Sequence, residues 1–302
     1  MFEIMSFRLY SVWIAFLLIL LPALGPSAGQ AQDAGAGPEF TLDYRALQPG
    51  EVLLLKLEKG RNISAAFASF RGKKYPMARD GNSDRILTLI GLDLDLEPGV
   101  YPLRAVVQYA GGQTGSTVIE VTIKDKVFPE EKLWVEERYV TPPRDARERI
   151  EWESELLRSI YSVSSDNWLG EGSFILPLEG RAANNFGKRR VFNNLPRSPH
   201  SGQDISSPSG TPVAASNSGR VVLAKDLYFS GNTVVIDHGL GVFTYYCHFS
   251  EILSTRGDWV KRGELIGRVG ATGRVTGPHL HWSVRIEGSR VDPYALTHLD
   301  LN

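Results

Sequence analysis

The sequence predicts a mainly β protein with two strand-rich regions joined by one amphipathic helix. Three observations predict it. Short apolar runs with period-two alternation, punctuated by turn residues, fill residues 40–125 and 171–302. Between them, residues 144–161 carry Ile150, Leu156, Leu157 and Ile160 among many charges, the spacing of a helix with one apolar face. The many glycines, 30 in 302 residues, fit tight hairpins between short strands.

Residues 1–31 read as a secretory signal peptide. The apolar run at 9–24 follows the single positive charge of Arg8 and is shorter than the ~20 residues a membrane span needs. Gly29-Gln30-Ala31 offers small residues at a cleavage site. An uncleaved membrane anchor is the alternative. The sole cysteine, Cys247, is not placed for lipid attachment after this run and leaves no intrachain disulfide. Residues 32–39, rich in Ala and Gly, predict a flexible leader.

Within 40–125, Val52–Leu57 is a buried-strand run. Residues 86–96 predict a second strand, alternating at its end between Leu92, Leu94, Leu96 and Asp93, Asp95. Glu97-Pro98-Gly99 is a turn, and strands at 101–109 and 115–123 flank the loop Ala110-Gly111-Gly112-Gln113. Short strands so closely spaced predict an immunoglobulin-like sandwich. The region has no histidine and no cysteine, so no chemistry is assigned to it. Residues 126–170 form the linker, in which Thr141-Pro142-Pro143 precedes the amphipathic helix. Glu148, Glu151, Glu153 and Glu155 mark its solvated face. In 171–302, strands at 211–223, 233–237, 242–249, 264–269 and 281–286 predict a compact antiparallel sheet.

Chemistry concentrates in that last region. In Gly273-Arg274-Val275-Thr276-Gly277-Pro278-His279-Leu280-His281-Trp282, two histidines at i and i+2 of an extended segment project from one face and reach one point. His200-Ser201-Gly202-Gln203-Asp204 adds an imidazole and a carboxylate, and Tyr245-Tyr246-Cys247-His248 lies between. Four of the six histidines fall in these three fragments. Zinc takes imidazole nitrogen and carboxylate oxygen, and a catalytic site uses three protein ligands with the fourth position left to water. Two histidines and one aspartate fit that count. A formal net charge of −1 and the lack of a long basic block argue against a nucleic-acid partner.

Together these motifs resemble the lysostaphin-type (LytM-type) zinc metallopeptidases that cut peptidoglycan cross-bridges, over residues 174–296. The resemblance implies that His200, Asp204 and His281 bind one zinc ion, with His279 and His248 as catalytic histidines outside the ligand set. Zinc then lowers the pKa of its bound water and polarises the scissile carbonyl. An imidazole, with an ordinary pKa of ~6.5, takes the proton and passes it to the leaving amine. His279 is expected as general base, with His248 hydrogen-bonding the developing oxyanion or sharing proton transfer. The reverse assignment stays open.

Asn232, in Gly231-Asn232-Thr233-Val234-Val235-Ile236-Asp237-His238-Gly239, matches a position near the substrate in the family. Phe186-Gly187-Lys188-Arg189-Arg190 resembles the loop ahead of the first ligand in Gram-negative relatives. Arg189 and its neighbours either hold stem-peptide carboxylates or form a solvated loop. In a regular strand Tyr246 shares the face of His248 and would contact substrate or oxyanion, with Cys247 turned the other way. Some Gram-positive members place a tyrosine shortly before the first ligand; residues 190–198 contain none, which leaves transition-state stabilisation from that side to His248 and His279. His238 is expected to be structural and His298 superficial.

The implied protein is an exported zinc endopeptidase of the periplasm or cell envelope, cutting peptidoglycan cross-links such as D-Ala–diaminopimelate. Residues 40–125 resemble the small β-domain ahead of the catalytic domain in some Gram-negative relatives. Their position suggests an intramolecular contact with the active-site groove, as an inhibitory lid. Two other readings remain. A metal-free binding module that activates a cell-wall amidase would have lost zinc ligands, and a zinc-stabilised structural domain would need a fourth protein ligand.

Overall fold

Val52, Leu53, Leu54 and Leu55 are all fully buried, which a strand achieves only when both its faces are covered. The computed structural model, which describes residues 38–58, 62–81 and 83–301, shows how. Eight strands come first: β1 (Thr41–Tyr44), β2 (Val52–Leu57), β3 (Ile63–Phe70), β4 (Lys73–Pro76), β5 (Ala78–Arg79), β6 (Ile86–Gly91), β7 (Gly99–Tyr109) and β8 (Thr114–Ile123). They form two antiparallel sheets, β1-β2-β6-β5 and β4-β3-β7-β8. Residues from both sheets, among them Leu53, Leu89, Leu103 and Val107, share one core with Val242, Val284, Ile286 and Val291 of the C-terminal region. At Gly91 a side chain is excluded, because a Cβ would lie 2.8 Å from that of Ser289.

The strand expected at 86–96 ends at Gly91. Leu92, Leu94 and Leu96 are buried all the same, so alternation here reflects a loop pinned to the core. Asp93 pins it by accepting from the Arg290 backbone N–H (2.8 Å) and guanidinium (2.7 Å).

The linker supplies β9 (Glu130–Leu133), α1 (Glu137–Val140) and α2 (Arg144–Tyr161). Leu156, Leu157, Ile160 and Tyr161 of α2 pack on Leu223, Leu227, Val235, Phe243 and Tyr245. Glu153, expected on the solvated face, is buried. It accepts from Arg149 Nε (2.6 Å) and the Tyr228 backbone N–H (2.8 Å), so a hydrogen-bonded carboxylate replaces solvent.

The C-terminal region holds β10 (Arg181–Ala182), β11 (Arg189–Phe192), β12 (Leu195–Pro196), β13 (Gly202–Ser206), β14 (Pro212–Ala214), β15 (Gly219–Leu227), β16 (Gly231–Asp237), β17 (Val242–Ile252), β18 (Trp259–Val260), β19 (Leu265–Val269), β20 (His279–Ile286), β21 (Ser289–Val291) and α3 (Pro293–Thr297). Its main sheet runs β10-β13-β20-β17-β16-β15-β18, with β19 paired to β14 and β17, and β21 to β20. The small sheet β12-β11-β9 ties the linker to this region through a parallel pair. The single strand expected at 211–223 is two strands, because Ser216, Asn217 and Ser218 make a buried turn in which Asn217 Oδ1 accepts from Ser218 N (2.7 Å) and Glu171 N (2.8 Å).

β20 sets the layout. Its first residues, His279 and His281, carry the chemistry, and its last, Val284 and Ile286, enter the core shared with the N-terminal sheets. Five residues of strand separate His281 from Ile286, roughly 17 Å. At that far end Arg45 bridges Glu51 and Asp292 (2.7 Å each), and Lys73 Nζ donates to the Glu287 carbonyl (2.9 Å). Among the described residues, none of 40–125 lines the groove, whereas Leu133, Val135, Tyr139 and Val140 of the linker do. No helix among the described residues is long and apolar enough to cross a membrane. The expected signal segment lies outside the described residues.

Candidate metal centre

Strand register assembles the site. On β20 the alternate residues Leu280, Trp282, Val284 and Ile286 are fully buried, which turns His279, His281, Ser283 and Arg285 to the other face, towards a cavity of about 600 Å³. Asp204 on β13 lies directly opposite His281, and Cys247 on β17 flanks it on the other side. Directly opposed residues share a face with Cβ atoms about 5 Å apart. Gly202 permits the approach: a Cβ there would lie 2.8 Å from His281 Cε1 and 2.6 Å from the Trp282 carbonyl.

Three acceptor atoms meet in front of this sheet. His281 Nδ1 is 2.8 Å from Asp204 Oδ1 and 2.9 Å from His200 Nε2, and His200 Nε2 is 3.2 Å from Asp204 Oδ1. His200 Nδ1 donates to the Asn185 carbonyl (3.1 Å), and a carbonyl can only accept, so Nε2 carries a bare lone pair. A lone pair, a carboxylate oxygen and a second imidazole nitrogen converging without enough protons to pair them is the donor set of a cation. These are also the only three described residues whose groups cluster as metal ligands.

Asn185 organises the triangle. Its Nδ2 donates to Asp204 Oδ2 (2.8 Å), its Oδ1 accepts from Asp204 N (3.1 Å), and its carbonyl fixes His200. Its own N–H is held by Gln203 Oε1 (3.1 Å), whose amide donates to Asp292 (3.0 Å). Such outer contacts fix ligand tautomer and orientation. Burial opposes the Asp204 charge, yet the His200 and His281 imidazoles set against it hold its carboxyl well below the usual range. Burial also pushes the His281 imidazole down to about 4, with the Asp204 hydrogen bond acting the other way, so at neutral pH it is an uncharged ligand.

His248 and His279 face the same cavity, with ring centroids 4.9 Å apart. His248 Nδ1 donates to the Thr272 carbonyl (2.8 Å) and His279 Nδ1 to the Gly277 carbonyl (2.9 Å). Each neutral ring therefore presents Nε2 as an acceptor, and that of His279 lies 3.7 Å from Asp204 Oδ1. Burial, then the neighbouring rings of His281 and His279, lower His248 to about 3.

His248 reaches this position through a bulge. Its φ of +67° is left-handed, and β17 places Cys247 and His248 together opposite the single residue Thr233 between the pairs Val234↔Tyr246 and Asn232↔Phe249. The extra residue reverses the expected facing. Tyr246 is fully buried beneath the sheet beside Trp282, its Oη accepting from Ser216 N (2.9 Å), and cannot reach substrate. Tyr245 and Cys247 line the cavity instead. The same one-residue shift applies on β11: Arg189 is exposed and outside the cavity, whereas Arg190 lines it, with Nη2 3.4 Å from Asp204 Oδ2. Asn232 does not line the cavity. Its Nδ2 donates to the Phe249 carbonyl (3.0 Å), bracing the bulge.

His238 is fully buried, donating to the Ser218 carbonyl and accepting from Thr244 Oγ1 (2.7 Å each), with burial lowering it to about 4. His298 is exposed. Sequence reasoning missed Asn185, Arg197 and Arg274. Asn185 sits just before the Phe186-Gly187 loop, and nothing in its local pattern marks it. Arg274 does stand inside the His279 motif.

A triangle of ligand atoms that could hold a metal ion, with two acceptor imidazoles beside it, lies in a groove of an antiparallel sheet. Residues 198–293 match the model of Peptidase family M23, and the chain carries an M23 domain of the LytM/lysostaphin type. It is 45% identical over 113 residues to the peptidoglycan DD-endopeptidase ShyA of Vibrio cholerae, covering 37% of this chain and 26% of that protein. It is 45% identical over 97 residues to the DD-carboxypeptidase/endopeptidase Mpg of Neisseria meningitidis, covering 32% and 22%. The matched segment thus spans about a quarter of the length of these curated relatives. The crystal structure of a putative peptidase M23 from Pseudomonas aeruginosa aligns over 84% of this chain and 96% of its own, at 29% identity and a TM-score of 0.63. That coverage extends well beyond the M23 segment into the N-terminal sheets.

Proposed function

We propose that the protein is an exported zinc metalloendopeptidase that hydrolyses amide bonds in peptidoglycan cross-links, with D-Ala–diaminopimelate the bond we assign from the resemblance of residues 186–190 to the loop of Gram-negative relatives. One observation carries the reading: His200 Nε2, Asp204 Oδ1 and His281 Nδ1 converge within 2.8–3.2 Å in a groove that His248 and His279 also face. Three ligands, and not four, leave a coordination position open to water or substrate. When bound, zinc supplies a Lewis acid that polarises the scissile carbonyl and acidifies water. The chain's own groups do the rest.

His279 Nε2, nearest the Asp204 ligand atom, takes the proton from the attacking water, and His248 Nε2 shares its transfer towards the leaving amine. Neither ring can donate to an oxyanion until it has been protonated, because each Nδ1–H is committed to a carbonyl. Of the two roles expected for His248, this favours shared proton transfer, in which it acts first as an acceptor. The complete triangle disfavours a metal-free amidase activator. Digestion of cross-linked sacculi, read by mass spectrometry, tests the activity. Cross-linked dimers should fall and monomers rise, and neither change should occur with a chelator or in His281→Ala; sacculi left intact by the zinc-loaded protein would contradict it.

The linker, in place of the sandwich, is the cover we assign to the groove. Tyr139 meets Tyr228 edge to face (5.6 Å between centroids), and the Val140 carbonyl accepts from Arg197 (2.6 Å). Tyr139→Ala should raise turnover on sacculi; an unchanged rate at full metal loading refutes the covering role. We also read residues 40–125 as an immunoglobulin-like domain, 126–170 as the linker and 171–302 as the peptidase domain. The strand order β1-β2-β6-β5 facing β4-β3-β7-β8 supports the first of these, since it follows the A-B-E-D and C-F-G pattern. Export, with residues 1–31 removed, places the enzyme in the periplasm or cell envelope; an N-terminal mass retaining Met1 argues against cleavage.

A further inference from the structure

Four arginines line the groove, and three of them, Arg190, Arg197 and Arg274, gather close enough to repel one another; Arg190 Nη2 reaches Asp204 Oδ2 (3.4 Å) and Arg197 Nη2 donates to the Val140 carbonyl (2.6 Å), which leaves the rest of their donors unused. Arg190, Arg197 and Arg274 all line the cavity, whose only carboxylate is Asp204. The chain as a whole is near neutral, at −1, so this is a local concentration of charge. Arg274 lies between two rings, with its Cζ 4.8 Å from the centroid of Phe192 and 4.7 Å from that of Phe229. Among the described residues its guanidinium has no hydrogen-bonded or ion-paired partner. Arg190 Nε and Arg197 Nε are buried and unpartnered as well.

The bland explanation is that Arg274 simply staples two rings together by cation–π attraction. One arginine would suffice for that. It does not account for two further arginines converging on the same space against their mutual repulsion. Burial, then the charges of Arg190 and Arg197, push the Arg274 guanidinium down to about 10, a sign of how closely the three are gathered. Half-buried cations with unused donors are costly unless an anion completes them. Ring stacking fixes the plane of Arg274 and leaves its edge free, which suits a planar carboxylate bound through two parallel hydrogen bonds.

We propose that Arg190, Arg197 and Arg274 form a cationic subsite that holds a free carboxylate of the bound peptide, with Arg274 as its specificity-determining residue. The inference rests on the peptide-hydrolase reading above for the identity of the occupant. The ligand class is a peptide carrying an ionised carboxylate close to the scissile amide, at its C-terminus or on a side chain.

The test is calorimetric binding of cross-linked peptides whose scissile amide is replaced by a reduced, uncleavable bond. Three forms are compared on the zinc-loaded full chain: free acid, C-terminally amidated, and side-chain amidated. Loss of charged hydrogen bonds should weaken binding of one amidated form by about 10- to 100-fold, and which form is affected identifies the source of the carboxylate. Arg274→Gln should bind acid and amide equally, and Arg197→Gln should narrow the gap. Arg274→Lys, which keeps the charge and loses the fork, should fall between, with thermal midpoints confirming folding. Equal binding of all three forms to the wild type, or no binding of any, overturns the proposal. Selective binding of the acid without cleavage of the natural peptide would contradict the hydrolase reading while leaving the subsite intact.

Discussion

Replacing Asn185 by Ala separates the support of one metal ligand from that of another. The substitution removes the amide that donates to Asp204 Oδ2 (2.8 Å) and the oxygen that accepts from Asp204 N (3.1 Å). It keeps the Asn185 carbonyl that orients His200. Asp204 would retain its place in the strand pair with His281 but lose the contacts that fix its carboxylate. Contacts of this kind are worth 10- to 100-fold in metal affinity or activity, so zinc affinity should fall by about that factor. The orphaned Asp204 N–H should cost about 1–3 kcal/mol of stability. Competitive zinc titration against a chromophoric chelator measures the first, and denaturant unfolding of the metal-free protein the second. If Asn185→Ala bound zinc within twofold of the wild type, the view that Asn185 positions the ligand set would be refuted.

Three further outcomes follow from the structure. His238, lowered from 6.5 to about 4, stays neutral when folded and protonates first when unfolded; its stability contribution is complete above pH 6.5 and is lost as pH falls to 4, a loss of about 3 kcal/mol. Urea unfolding at pH 7.5 and 4.0 should show that loss, reduced by this amount in His238→Gln; equal pH slopes would count against it. Gly202→Ala should push β20 away from β13, since the new methyl meets Trp282 O, Ser283 Cβ and His281 Cε1 at 2.6–2.8 Å, costing about 1–3 kcal/mol and most of the zinc affinity; a variant that binds zinc normally argues against this packing. Arg45→Ala leaves Asp292 buried without its cation and Glu51 with Lys126 alone, 3.5 Å away, and should cost about 3 kcal/mol in denaturant unfolding, whereas a cost below 1 kcal/mol would mean Arg45 is not what joins the two regions.

The residues of the centre were legible because strand geometry is short-range. His279 and His281 project together from any extended segment, and the register that sets Asp204 opposite His281 keeps that relation. Facing failed where the strand was irregular. The bulge at His248 depends on pairing with Thr233 of β16, fifteen residues earlier, and period-two counting passes straight over it, which exchanges Tyr246 for Tyr245. Pattern alone does not separate Arg189 from Arg190, because neither their strand nor its parallel partner β9 is evident in it. Leu92, Leu94 and Leu96 alternate like a strand, yet Asp93 and Asp95 are occupied with Arg290, a residue nearly two hundred positions later. The same distance hides the shared core: Val284, Ile286 and Val291 look like ordinary strand residues of one region until β2 and β6 are seen against them. In that packing no described residue of 40–125 lines the cavity, whereas Leu133, Val135, Tyr139 and Val140 of the linker do.

One zinc ion held by His200, Asp204 and His281 is the proposed basis of hydrolysis. Stepwise zinc titration of the metal-free protein, with cross-linked muropeptide cleavage followed at every step, tests it most directly. Cleavage should rise linearly and saturate at one equivalent of zinc, with His200→Ala, Asp204→Ala and His281→Ala each failing to bind zinc tightly or cleave. Cleavage that is undiminished without zinc, or that survives loss of any one of the three ligands, would contradict it.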